Sequence, residues 1–268
     1  MNVSVQSKWI KIGVLVSYLV MVTVNALASI LPINGVGTGE VSAQYDTLFT
    51  PAAYAFAIWG AIYLLLAVYV VFQFLPDQAD GAEARRDTQR KVGVWFILSS
   101  LVNAGWIFAW HYRQLPLSLA LMALLLACLV RIGWLLRTPH RSPRETWTLR
   151  VPFGLYFGWI TVATIANVSV LLVSLGWDGF GIAPVYWTVA VMLVGLAIAG
   201  VTMYRIRNLA YGLAVTWAYA WILVRHLSAA GYGGQYPLIV ATAGLSLGVL
   251  LALLVVTGAR MRKPAAVR

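Results

Sequence analysis

Residues 92–112 read VGVWFILSSLVNAGWIFAWHY and, after the lone charge of Arg113, residues 114–130 read QLPLSLALMALLLACLV. Neither stretch contains Asp, Glu, Lys or Arg, and each reaches the roughly 17–20 residues that a helix needs to cross the hydrocarbon core of a bilayer. The same pattern recurs at 12–39, 47–76, 151–177, 179–204, 208–224 and 227–259. Only helices and closed barrels satisfy every backbone amide in lipid, and the alternating ten-residue segments of a barrel are absent. The sequence therefore predicts an all-α polytopic membrane protein of about eight transmembrane helices, near 10–31, 52–75, 92–111, 115–136, 151–174, 184–204, 208–227 and 237–257.

Composition agrees. Of 268 residues 61% are apolar and 10% charged, against about 45–50% and 25% in soluble domains. The formal net charge of +11 is not a nucleic-acid footprint, because the basic residues stand between long uncharged windows rather than along one face of a soluble fold. Lysine and arginine are held on the cytoplasmic side of membrane proteins. With the N-terminus inside, 17 of the 19 basic residues fall on inner segments, and only Arg113 and Arg225 lie outside. Both termini are thus expected in the cytoplasm, in a cell (inner or plasma) membrane, with 77–91 and 138–148 as solvated inner connectors. Lys8 and Lys11 followed by about 20 apolar residues read as a retained first span, longer than the apolar region of a cleaved leader, with the small residues Ala-Leu-Ala-Ser at 26–29 keeping the leader as the alternative. The single cysteine, Cys128, excludes a disulfide framework and reads as a small residue facing core or lipid.

Orientation gives each unusual side chain a depth. Asn25, Tyr54, Trp59, Tyr63, Asn103, Trp106, Trp110, His111, Thr161, Thr164 and Asn167 all fall in the outer half, on four different spans. Asn103, Trp106 and Trp110 share a helix face at i, i+3 and i+7; Trp159, Ala163 and Asn167 do so at i, i+4 and i+8; Trp59 and Tyr63 are an i, i+4 pair. An aromatic stripe alone fits helix packing and an interfacial belt. An amide left unpaired in hydrocarbon costs several kcal/mol, so Asn25, Asn103 and Asn167 must face other helices or a cavity. Together they describe an aromatic-walled pocket open to the outside.

At these residues the chain resembles the tryptophan-rich sensory proteins (TspO/MBR), the translocator-protein or peripheral benzodiazepine receptor family. Pro51-Ala-Ala-Tyr-Ala-Phe-Ala-Ile-Trp-Gly-Ala-Ile-Tyr63 is similar to that family's P-P-x-W-x-F-x-x-V-W-x-x-L-Y. Asn103-Ala-Gly-Trp106 is similar to the start of N-x-x-W-x-x-x-F-F, with Trp110-His111 at the final pair. Trp159-Ile-Thr-Val-Ala163-Thr-Ile-Ala-Asn167 matches W-x-x-x-A-x-x-x-N. The likeness covers about residues 10–180. Ala52 replaces the second proline, Tyr54 stands where tryptophan is usual, 41–50 (VSAQYDTLFT) lacks the family's loop tryptophan, and Pro152 lies seven residues before Trp159 instead of four. The resemblance implies a five-helix bundle over 1–180, binding porphyrin, haem or another flat hydrophobic ligand such as a sterol in a cavity capped by the loop between spans 1 and 2. Residues 181–268 add three helices and a basic tail, which enlarge the bundle or dimerise it.

The seventh span carries Trp217, Trp221 and Arg225 at i, i+4 and i+8. Arg225 reads either as a cation snorkelling beside belt tryptophans or as a cation–π-supported anion clamp at the pocket mouth. Gly195, Gly200 and the pair Gly244-x-x-x-Gly248 are places for close helix approach. No span holds a carboxylate for ion coupling, and His111, His140 and His226 are too scattered for a shared metal site, though His111 and His226 could meet on haem iron if spans 3 and 7 were neighbours. The expected ligand set is Asn25, Tyr54, Trp59, Tyr63, Asn103, Trp106, Trp110, Trp159, Ala163, Asn167 and Arg225. No catalytic group, metal or obligatory cofactor is expected. The candidate partners are the bilayer, a flat ligand and a second copy of the chain; the leading alternative role is transport of a lipophilic solute, followed by a structural or regulatory membrane partner and an enzyme of tetrapyrrole breakdown.

Overall fold

The computed structural model describes residues 3–31, 33–45, 47–75, 82–137 and 142–262. Eight long helices run in order: α1 Val3–Ile30, α2 Ile58–Phe72, α3 Ala82–His111, α4 Leu115–Leu135, α5 Val151–Ser174, α6 Pro184–Ile206, α7 Leu209–Leu227 and α8 Pro237–Arg262. Between α1 and α2 the chain makes a short helix, Thr38–Ala43, and a 3₁₀ turn, Ala53–Ala57, and no strand occurs among the described residues. Seven of the long helices, all but α7, are long and apolar enough to cross a membrane, α2 doing so together with the 3₁₀ turn that precedes it, as the span Ala53–Phe72. The 19-residue α7 is diluted by tyrosines, tryptophans and the Arg225-His226 pair; of these Tyr211, Tyr219 and His226 are buried against neighbouring elements.

Two expected connectors are partly helical. Residues 82–91 extend α3 because Asp87 pairs one turn on with Arg90 at 3.1 Å and Lys91 at 2.5 Å, the spacing at which opposite charges support a helix. Residues 143–145 form a capped helical turn in which Ser142 Oγ accepts from the Glu145 amide. This runs through a π-type turn, Thr146–Arg150, into α5. The wide turn lies just before Pro152, where the missing amide would otherwise break the ladder. His140 lies outside the described residues.

Helices α1–α5 form one bundle: α3 packs on α1 and α4, α5 on α4 and α2, and α1 on α2. The later helices are joined to it through α7, which lies along α5 and carries α8, with α6 against α8. The α5–α7 seam is closed by Gly154 and Gly158. A Cβ on Gly154 would fall 2.3 Å from Asn208 Oδ1, and one on Gly158 2.3 Å from the Tyr211 carbonyl oxygen. Asn208 caps α7 by accepting from the Ala210 and Tyr211 amides and donates to the Arg150 carbonyl at 2.7 Å. The buried Arg150 guanidinium in turn donates to the Ile206 and Arg207 carbonyls that end α6. Gly195 admits the Tyr219 hydroxyl, which donates to the Met192 carbonyl. Gly244 and Gly248, by contrast, face open space within this chain. Of the four glycines the sequence singled out, Gly195 is a close contact, while the tightest helix approach among the described residues is at Gly154 and Gly158 of α5, which the sequence reading did not name.

Candidate ligand-binding site

Three layers build the site: a polar knot, an aromatic wall and a strapped loop. In the knot, Asn25 of α1 donates from Nδ2 to Asn103 Oδ1 at 2.7 Å and to its own helix at the Met21 carbonyl at 2.8 Å. Asn103 of α3 donates to the Tyr156 hydroxyl of α5 at 3.0 Å. All three side chains are buried. Asn25 and Asn103 thus spend their amides on tying three helices together, which is what a buried polar group in a membrane core requires.

Above the knot, stacked pairs form the wall. Trp59 and Tyr63 lie 5.4 Å apart with rings 17° from parallel, and Trp106 and Trp110 5.8 Å apart at 22°. Trp159 meets the edges of Trp59 at 6.2 Å and Phe56 at 5.7 Å. Between them is a cavity walled by Trp59, Trp106, Trp110, Trp159, Ala163 and Asn167, with Met122, Val162, Ala166 and Val170 filling the α4 and α5 sides and Thr38, Ser42, Thr50, Pro51 and Phe56 forming the roof. Among the described residues no charged side chain lines it. The cavity volume is about 40 Å³, small beside the roughly 300–1,000 Å³ of ordinary small-molecule pockets. Three polar atoms on the lining side chains are buried without a partner: Trp106 Nε1, Trp159 Nε1 and Asn167 Oδ1. Asn167 uses only Nδ2, donating to Ser118 Oγ at 2.9 Å.

The roof is held from both sides. From α3, Trp110 Nε1 donates to the Thr38 carbonyl at 3.0 Å, the His111 ring nitrogens lie 3.0 Å from the Ile33 carbonyl and 2.9 Å from Thr38 Oγ1, and Arg113 Nε donates to Gln44 at 3.0 Å. From α7, Arg225 donates to the Thr50 carbonyl at 2.9 Å and His226 Nε2 lies 2.9 Å from the Leu48 carbonyl. Each histidine is committed to a different part of the loop, so the pair is not placed to share an iron. Arg225, with its guanidinium 5.0 Å over the Tyr232 ring, grips the loop backbone and does not line the cavity.

Of the eleven residues expected to bind ligand, the structure thus brings Trp59, Trp106, Trp110, Trp159, Ala163 and Asn167 to one cavity. Tyr63 stands behind Trp59, Asn25 and Asn103 belong to the knot, and Arg225 to the roof. Tyr54 is 75% exposed on the outer surface with its ring 5.7 Å from Trp221. The sequence reading missed the loop residues Thr38, Ser42, Thr50 and Phe56. Their signal was the apolar content of the loop: Val41, Leu48 and Phe49 are all buried, which a solvated connector would not need.

Helix content, spans and an aromatic chamber under a strapped loop define an all-α, multi-pass membrane protein. The sequence model of the family described as TSPO-like protein matches residues 9–256. The chain belongs to that family. The match runs into α8, so the last three helices fall inside it, beyond the 10–180 covered by the motif likeness. No curated protein and no solved structure matches the chain.

Proposed function

We propose that this protein binds a planar hydrophobic ligand, a tetrapyrrole such as a porphyrin being the foremost candidate, in the chamber between α2, α3, α4 and α5, and that it acts as a sensor or regulator through that binding. The reading is carried by the three unpartnered polar atoms on an otherwise aromatic wall: Trp106 Nε1 and Trp159 Nε1 can donate, and Asn167 Oδ1 can accept. A flat ring with a few polar edge atoms supplies stacking area and these partners together. Because the lining is uncharged, the macrocycle belongs inside and any carboxylates at the mouth. The excess of basic residues on one side supports cytoplasmic termini in the inner membrane and a chamber facing outward.

Tryptophan fluorescence of the detergent-solubilised protein should be quenched saturably by protoporphyrin IX. Trp106→Ala and Trp159→Ala should each raise Kd at least about tenfold, the equivalent of about 1.4 kcal/mol, while Trp106→Phe and Trp159→Phe, which remove the N–H and part of the ring, should weaken binding less. Quenching that does not saturate, or a Kd unmoved in both alanine variants, would sink the reading.

A further inference from the structure

Residues 47–55 lie in the loop between α1 and α2, yet their backbone is bonded to α7. The Thr50 carbonyl accepts from Arg225 Nη1 at 2.9 Å, and the Thr47 carbonyl lies 3.5 Å from the same atom. The Leu48 carbonyl lies 2.9 Å from His226 Nε2, the Ala55 carbonyl accepts from Trp217 Nε1 at 2.9 Å, and the Ala52 amide donates to the Trp221 carbonyl at 3.1 Å. These contacts run along one stretch of α7, from Trp217 to His226. The segment they hold includes Thr50 and Pro51 and leads into Phe56, which form the α7 side of the chamber's roof.

The far end of α7 is itself pinned. The Tyr232 amide donates to the Arg225 carbonyl at 3.0 Å and the Gly234 amide to the His226 carbonyl at 2.7 Å. Gly231 passes so close that a Cβ there would fall 2.0 Å from the Arg225 carbonyl oxygen. The strap is thus mounted on a braced helix end. Buried carbonyls at 47–50 have these donors as partners, so opening the roof without breaking the α7 bonds would leave α7 and the loop moving as one. A cavity of about 40 Å³ must widen to take a flat ring.

We propose that α7 is the latch of this chamber: its bonds to residues 47–55 hold the roof closed and govern how fast a ligand reaches the aromatic wall. This rests on the reading of the chamber as a ligand site and adds what controls admission to it, assigning a role to a helix outside the five-helix bundle.

The test measures opening without any ligand. In full-length protein carrying Cys128→Ala, Ser42→Cys puts one thiol on a buried roof position that lines the chamber. Its rate of modification by a small methanethiosulfonate reagent reports roof opening. Adding Trp217→Phe, which removes the indole donor and keeps a ring, should raise the rate about threefold. Adding Arg225→Gln, which removes a charged donor, should raise it at least about tenfold. Leu213→Ala, on an exposed part of α7, should leave it unchanged. Rates within twofold of the parent in both strap variants, or an equal rise in Leu213→Ala, overturn the latch; if Arg225→Gln does not fold, Trp217→Phe decides. In stopped-flow quenching, protoporphyrin IX should associate faster by the same factors. If labelling accelerates but protoporphyrin does not bind, the latch stands and the ligand reading falls; if it binds but labelling is unmoved, the latch alone falls.

Discussion

Gly158→Ala should lower the apparent melting temperature of the detergent-solubilised protein by about 5–10 °C, whereas Gly248→Ala should shift it by no more than about 2 °C. The two substitutions add the same methyl group and gain the same helix propensity, up to about 1 kcal/mol. They differ in what the methyl meets. At Gly158 it would sit 2.3 Å from the Tyr211 carbonyl oxygen and 2.8 Å from Ala214 Cβ. The first of these is backbone, so no rotamer change relieves it and α7 must move as a body. Overpacking of this kind costs about 1–3 kcal/mol or more, and in a chain of this size each kcal/mol is worth about 2–4 °C. At Gly248 nothing lies within 4 Å. Because α7 carries the straps on residues 47–55, displacing it should also loosen the roof. Equal melting temperatures for the two variants would mean that α5 and α7 are not in contact as described. A large loss at Gly248 would instead reveal a neighbour outside this chain.

The contrast shows which features could be read from the chain. Charge-free windows and basic flanks report the solvent on each side of a helix, which is a one-dimensional property, and they located all eight long helices, four of them to within two residues; α1 and α3 begin seven and ten residues earlier than expected, α2 begins six residues later and α8 ends five residues later. Motif spacing on α3 and α5 placed Trp106, Trp110, Trp159, Ala163 and Asn167 on one cavity because a helix fixes direction from register alone. Partner choice is different. Asn25, Asn103 and Asn167 look alike in sequence and each bonds to a neighbouring helix, yet only Asn167 keeps a free acceptor, and only the neighbours of each decide this. Arg225 could be read as snorkelling or as an anion clamp; its actual acceptors are carbonyls about 175 residues earlier in the chain, and no local pattern encodes a backbone oxygen. The same holds for glycine. Gly244-x-x-x-Gly248 and Gly154-x-x-x-Gly158 have identical spacing, and what separates them is that Asn208 and Tyr211 lie over one pair while, among the described residues, nothing comes within 4 Å of a Cβ on the other.

The different fates of the asparagines lead to the second large effect. Asn103→Leu should destabilise the protein by about 2–4 kcal/mol and leave the Kd for protoporphyrin IX within about threefold. Its side chain accepts from Asn25 and donates to Tyr156, so leucine removes two side-chain bonds at once. The Tyr156 hydroxyl then loses its amide donor in a fully buried position, while Asn25 keeps only its bond to the Met21 carbonyl. Each unsatisfied buried group costs about 1–3 kcal/mol, moderated in membrane proteins because the unfolded helix also finds partners in lipid. A double-mutant cycle with Tyr156→Phe should give a coupling of at least about 0.5 kcal/mol, since the two residues touch. Asn167→Leu should show the opposite pattern. It loses one bond, to Ser118, costing about 1 kcal/mol, but also removes the acceptor on the chamber wall, so ligand affinity should fall severalfold while stability changes little. If Asn103→Leu were nearly neutral in stability and abolished quenching, the knot would have to be redrawn as part of the binding surface, and the chamber would extend a full helical turn deeper than the aromatic wall.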